Sequence, residues 1–98
     1  MISTGGSSRH IPFTIYELRE RMALLFVGDM SWDNYGSYWE IDHIIPLSLC
    51  KSDDPKSSEF LWFWRLDNLQ PLTINENRSK GSKVPESLME EYKNVKFL

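Results

Sequence analysis

The chain has 98 residues, which suits one domain with a small core, and thirteen aromatic side chains, four of them Trp, supply much of the apolar area such a core needs. No apolar run approaches the roughly 18 residues of a membrane-spanning helix, and the single cysteine excludes an internal disulfide or a cysteine-held zinc knuckle. The net charge of −3 argues against strong nonspecific affinity for DNA.

The first stretch, MISTGGSSRH, is polar and rich in Gly and Ser, so residues 1–11 read as a flexible leader rather than a signal peptide, and His10 within it is given no role. Residues 12–98 form the expected single domain. A helix is predicted from Pro12 to Phe26: Thr14 and Glu17 make a capping box, Ile15, Leu18, Met22 and Leu25 fall on one stripe, Arg19, Glu20 and Arg21 lie off it, and Gly28 is the stop. Asp33, Asn34 and Gly36 mark a turn among aromatics. Tyr38 to Ile45 then reads as a strand ended by Pro46.

The polar stretch from Ser48 to Ser58 is a loop, with Cys50 as a half-buried thiol. Ser58 is the expected cap of a short helix on which Phe60, Phe63 and Trp64 share a face. Asn68 to Leu72 suits a second short strand or an extended turn. Thr73 and Glu76 form another capping box, opening a helix from Ile74 to Lys80 with Gly81 as its stop. A last helix is expected over PESLMEEYK, with Pro85 in its first turn. The fold class read from this order is α+β.

Charge is uneven along the chain. Residues 1–64 carry five basic and nine acidic side chains, whereas residues 65–83 carry Arg65, Arg78, Lys80 and Lys83 against only Asp67 and Glu76. Such a basic segment can meet phosphate where a divalent metal adds positive charge. The polar residues that fit poorly with a plain core gather in the same region. Taken singly, a strand histidine is a packing residue, Asn68 a turn residue, and Asn77 and Lys80 a solvated helix face. Jointly they set Asp-His at the end of an apolar strand, then N-L-Q-P-L, then N-x-x-K on a capped helix.

In that order, IDHIIPLS, NLQPL and ENRSKGSK resemble an HNH endonuclease with its ββα-metal core, in the variant carrying Asn rather than His at the third position. The motif covers residues 39–83, and the lead-in MSWDNYGSYWEIDHIIP is similar to that of small phage-type HNH proteins. The resemblance implies a small ββα-metal core flanked by an N-terminal and a C-terminal helix. It implies a metal-dependent nuclease acting on DNA, with His43, Asn68 and Lys80 as the catalytic set. Of these, His43 is the general base, Asn68 ties the loop after it to the second strand, and Lys80 reaches a phosphate. Asp42 and Asn77 would hold one divalent metal; their oxygen donors suit Mg²⁺ or Mn²⁺ better than Zn²⁺. Arg78, Lys80 and Lys83 are candidates for backbone phosphates.

A protein partner or a dimer is expected if both strands are cut, no membrane partner is expected, and the lone Cys fits an intracellular, cytoplasmic location. The alternative is a noncatalytic HNH-like module that binds nucleic acid or protein. One difficulty is visible in advance: neighbouring residues on a strand point to opposite faces. Asp42 and His43 can share a site only if the strand bends there, or if Asp42 meets the site from the side of the helix carrying Asn77.

Overall fold

The computed structural model describes residues 12–97, so the expected leader and His10 lie outside the described residues. Thr14 opens the first helix, α1 (Ile15–Leu25), by the predicted reciprocal cap: Thr14 Oγ1 accepts from the Glu17 amide at 3.1 Å and Glu17 Oε1 accepts from the Thr14 amide at 2.7 Å. The helix is shorter than expected at both ends. Phe13, just ahead of it, is 3% exposed and takes a core place, while Ile15, predicted on the buried stripe, is 41% exposed. Met22 is the stripe residue that is fully buried. Arg21, placed off the stripe, docks the helix instead: its Nε donates to the Leu69 carbonyl at 3.1 Å and its Nη2 to the Asp67 carbonyl at 3.2 Å.

A tight turn over Trp32–Asn34, capped by Ser31, and Gly36 at φ 87° lead into β1 (Trp39–His43). The strand stops two residues earlier than the apolar run suggests. At Ile44 and Ile45 the backbone N–H groups turn to Asn68, one donating to its carbonyl at 2.8 Å and the other to its side-chain Oδ1 at 2.9 Å. A short helix, α2 (Ser58–Phe63), follows; its cap is Ser57, not Ser58, and Ser57 Oγ accepts from the Phe60 amide.

The second strand, β2 (Leu69–Thr73), pairs antiparallel with β1, with Trp39 opposite Thr73, Ile41 opposite Pro71 and His43 opposite Leu69. Pro71 is tolerated because each strand of a two-stranded sheet has an outer edge that needs no ladder donor. Thr73 at once caps α3 (Ile74–Lys80) through the predicted box with Glu76, and Gly81, at φ 53°, ends it. The single last helix expected from Pro85 is two pieces, a tight turn over Glu86–Leu88 and α4 (Met89–Asn94), because Leu88 leaves helical geometry at φ −109°, ψ 1°.

Thus the described residues form an α+β domain with four α-helices and one two-stranded antiparallel sheet. Alternation along the strands divides the sheet. Trp39 and Ile41, with Pro71 across from Ile41 and Leu69 on the same face of β2, face the core; Glu40 and Asp42, across from Leu72 and Gln70, face α3. Trp39 anchors the core side. It is fully buried, its ring lies 4.9–5.4 Å from those of Phe26, Trp32 and Tyr35, and its Nε1 donates to the Ser31 carbonyl.

The cap of α3 fixes where that helix starts relative to the sheet. Thr73→Ala removes the side-chain acceptor for the Glu76 amide and is expected to cost about 1 kcal/mol, the usual loss of an N-cap. Urea unfolding checks this; an unchanged midpoint would show that the cap adds nothing to what packing already secures.

Candidate functional site

The face of β1 turned toward α3 carries two carboxylates two residues apart, Glu40 and Asp42. The facing side of α3 carries Asn77 and Lys80, three residues apart and so on one helix face. They meet in two parallel contacts. Asn77 Nδ2 donates to Glu40 Oε1 at 2.5 Å, and Lys80 Nζ lies 3.4 Å from Asp42 Oδ2. Lys80 also donates to the His43 carbonyl at 2.9 Å, tying the helix end to the strand end. Asp42 is 7% exposed, so its charge needs partners. Besides Lys80 it has Gln70, directly opposite on β2, whose Nε2 donates to Oδ2 at 3.0 Å.

His43 goes the other way. Its ring meets Trp64 edge-on, with centroids 4.4 Å apart, and its Nε2 is buried with no hydrogen-bond partner among the described residues. The other ring nitrogen, Nδ1, is not among the buried unpartnered atoms. Burial pushes the imidazole pKa below its ordinary 6.5, against the pull of the Asp42 charge upward; the Lys80 charge adds to the lowering. The ring is therefore held neutral near pH 7, the form able to take up a proton.

Asn68 is 2% exposed and spends its whole side chain on backbone. Oδ1 accepts from the Ile45 amide, and Nδ2 donates to the Ile45 carbonyl at 3.1 Å and the Phe63 carbonyl at 2.8 Å. One side chain so joins the chain just after β1, the end of α2 and the start of β2. These bonds tie the loop after β1 to the segment leading into β2, and both polar ends of the buried Asn68 side chain are spent on backbone.

The structure therefore brings Lys80 to Asp42 and the His43 carbonyl at the end of β1, while Asn77, one turn earlier on α3, meets the strand at Glu40, and no hydrogen bond joins Asp42 to Asn77. The strand does not twist both Asp42 and His43 to one face: Asp42 reaches the site from the α3 side. Lys80 is engaged by Asp42 and the His43 carbonyl rather than projecting freely toward solvent, as a phosphate contact would require. Arg78 is exposed on α3, and exposed Lys83 follows it. An open groove of about 720 Å³ runs beside the site between β2 and the segment after α3, lined by Gln70, Leu72, Ser79, Lys80, Lys83 and Val84 among others. Trp62 lies under the Arg65 guanidinium and meets Phe63 and Phe97 edge-on, and Cys50 is half-buried as expected.

Two residues were missed. Glu40 stands two positions before Asp42, and the two-residue period of a strand was the signal that it shares the Asp42 face. Gln70 lay inside the NLQPL motif, but its place opposite Asp42 depends on the pairing register.

Among the described residues no group of three or more His, Cys, Asp and Glu side chains is arranged to hold a metal ion. The donors at hand are the Asp42 carboxylate and the Asn77 amide carbonyl, both oxygen, and a positive charge already lies against Asp42 in the form of the Lys80 ammonium. Oxygen donors are the type a hard divalent cation takes, but the Lys80 ammonium and the Gln70 amide already meet Asp42 Oδ2, so a cation would have to use the other carboxylate oxygen or displace them.

No protein-family model matches the chain, and no solved structure matches it significantly. It is 36% identical over 78 residues to an uncharacterized protein of Acanthamoeba polyphaga mimivirus; the match takes in 79% of this chain and 33% of that protein. The chain thus spans about a third of the length of that curated relative. Among the described residues no helix is long and apolar enough to cross a membrane.

Proposed function

We propose that this chain is an endonuclease module of the HNH type, a ββα-metal core that hydrolyses DNA phosphodiester bonds with the help of one Mg²⁺ or Mn²⁺. The observation that supports this reading is the order β1, β2, α3, in which Asp42-His43, Asn68 and Asn77-x-x-Lys80 come from three separate segments: Lys80 meets Asp42 and the His43 carbonyl, Asn68 holds the chain just after His43, and Asn77 meets β1 at Glu40.

His43 is the general base. Its neutral imidazole takes a proton from water through Nδ1, the water oxygen bonds to phosphorus, and the bond from phosphorus to the 3′ oxygen breaks. Asn68 holds the backbone after His43 against β2 and so keeps the ring against Trp64. Asp42 and Asn77 supply the protein's oxygen ligands. The divalent cation, when bound, contributes positive charge to the phosphate and to the departing 3′ oxygen. Lys80 neutralises Asp42 and anchors the strand end. The groove beside the site, through which the strand beside the cut would run, has exposed Lys83 on its wall, and exposed Arg78 is a further candidate for a backbone phosphate. One such site cuts one strand, so double-strand cleavage calls for a second copy or a partner.

Plasmid nicking by purified protein tests the proposal directly. Supercoiled DNA is expected to relax with Mg²⁺ or Mn²⁺ and to stay intact with EDTA. Binding without nicking in Mg²⁺, Mn²⁺ and Ni²⁺ would favour the noncatalytic module instead.

The lowered pKa of His43 sets the pH profile. The base is active when neutral, so kcat/KM rises with pH to a plateau, with an acid limb whose midpoint lies below 6.5. Stability follows the same sign. The folded state favours the neutral ring, so its contribution is fully present above the unfolded value of 6.5 and is lost as pH falls through the lower folded value. Rate and urea midpoint measured from pH 5 to 8 check both; an acid limb centred above 6.5 would contradict the burial of the ring.

A further inference from the structure

The amide of Asn77 has two chemically opposite ends. Its carbonyl oxygen can bind a cation and its NH₂ cannot, and a half-turn of the terminal group exchanges them. An asparagine on a solvent-washed helix samples both. In this protein the choice is made by Glu40. An ionised carboxylate accepts hydrogen bonds and donates none, so it can meet only the NH₂ end, and Glu40 Oε1 does so at 2.5 Å. Glu40 sits on β1 two residues before Asp42, on the same face of the sheet, with Leu72 opposite it. It is half-buried, so the contact is partly shielded from competing water.

We infer that Glu40 is a positioning residue of the proposed cation site: it holds the Asn77 amide by its nitrogen, so that the carbonyl oxygen is the end left for a cation shared with Asp42. The inference rests on the nuclease reading of this site. The contact that Glu40 makes with Asn77 is a hydrogen bond through Oε1, and the assigned role is this bond rather than coordination. Partners of this kind, one step removed from the cation, commonly change metal affinity by about 10- to 100-fold.

A hydrogen-bond role and a charge role predict different outcomes for two substitutions. Glu40→Gln keeps a carbonyl oxygen that can accept from Asn77 Nδ2 but loses the charge. Glu40→Ala loses both. Mn²⁺ titration of the whole chain, followed by electron paramagnetic resonance of the free ion, reads affinity without any turnover. Glu40→Gln is expected to bind Mn²⁺ within about threefold of the wild type, and Glu40→Ala about 10-fold or more weakly. The Asn77 side-chain NH₂ signals in a nitrogen–proton spectrum give a second, metal-free readout. They are expected to be protected from exchange in the wild type and Glu40→Gln and unprotected in Glu40→Ala. If Glu40→Ala does not fold, Glu40→Met, of similar length and with no acceptor, carries the same expectations.

Equal Mn²⁺ affinity in the wild type and Glu40→Ala overturns the inference, as does a loss in Glu40→Gln as large as in Glu40→Ala. Both can occur while the wild type still nicks DNA, in which case the proposed function stands. A wild type that neither binds Mn²⁺ nor nicks DNA removes the proposed function and this inference together.

Discussion

His43→Ala is expected to lower the nicking rate by about 100- to 10,000-fold, the range that a positioned general base contributes. The effect follows from the proposed role and from the placement of the ring. The imidazole is partly buried, meets Trp64 edge-on and is kept neutral by burial, so it is in the form that accepts a proton. The substitution should leave the backbone in place, because the strand end is held by main-chain groups: the His43 carbonyl by Lys80 and the Ile44 amide by Asn68. Near-ultraviolet circular dichroism, sensitive to Trp64, separates loss of chemistry from loss of fold. Equal nicking by the folded variant and the wild type would sink the assignment of His43 as base, and EDTA sensitivity of the wild type provides the internal control.

The second large effect concerns stability. Asn68→Ala is expected to destabilise the domain by about 3–5 kcal/mol, because it leaves the Ile45 N–H, the Ile45 carbonyl and the Phe63 carbonyl without their partner in a buried place. For a chain of this size that is a large share of the roughly 5–15 kcal/mol available. Asn68→Asp should not rescue it: the acceptor for Ile45 survives, but a carboxylate then faces two carbonyl oxygens. Urea unfolding of the two variants is the check. A loss below about 1 kcal/mol in Asn68→Ala would mean that these groups find other partners and that the tie is dispensable.

These two residues also show how differently sequence information translates into structure. The cap residues were legible because a capping box spans only three positions: Thr14 with Glu17 and Thr73 with Glu76 needed no knowledge of the rest of the fold. The same locality explains why α3 begins and ends where expected. Ser57 rather than Ser58 as the cap of α2 is a one-residue error of the kind that arises when two serines adjoin and only the local backbone decides between them. The burial of α1 was harder to read. Its apolar period named the right stripe in Met22, but Phe13 from outside the helix took core space while Ile15 stayed partly exposed. Arg21 became a clamp on β2, a role visible only once the helix lies across that strand.

By itself the sequence determined the α+β class, the capping boxes of α1 and α3, the order of strands and helices, and the small set of polar residues worth attention. Those follow from short-range sterics and hydrogen bonding, which reach no more than about one helical turn along the chain. The tertiary structure alone decided that Asp42 faces α3 while His43 faces Trp64. It likewise decided that β1 ends at His43 because Asn68 takes the next two amides, and that Glu40 holds the amide of Asn77. Each of these joins residues 21 to 38 positions apart or depends on strand register, where a shift of one residue would send every side chain to the opposite face.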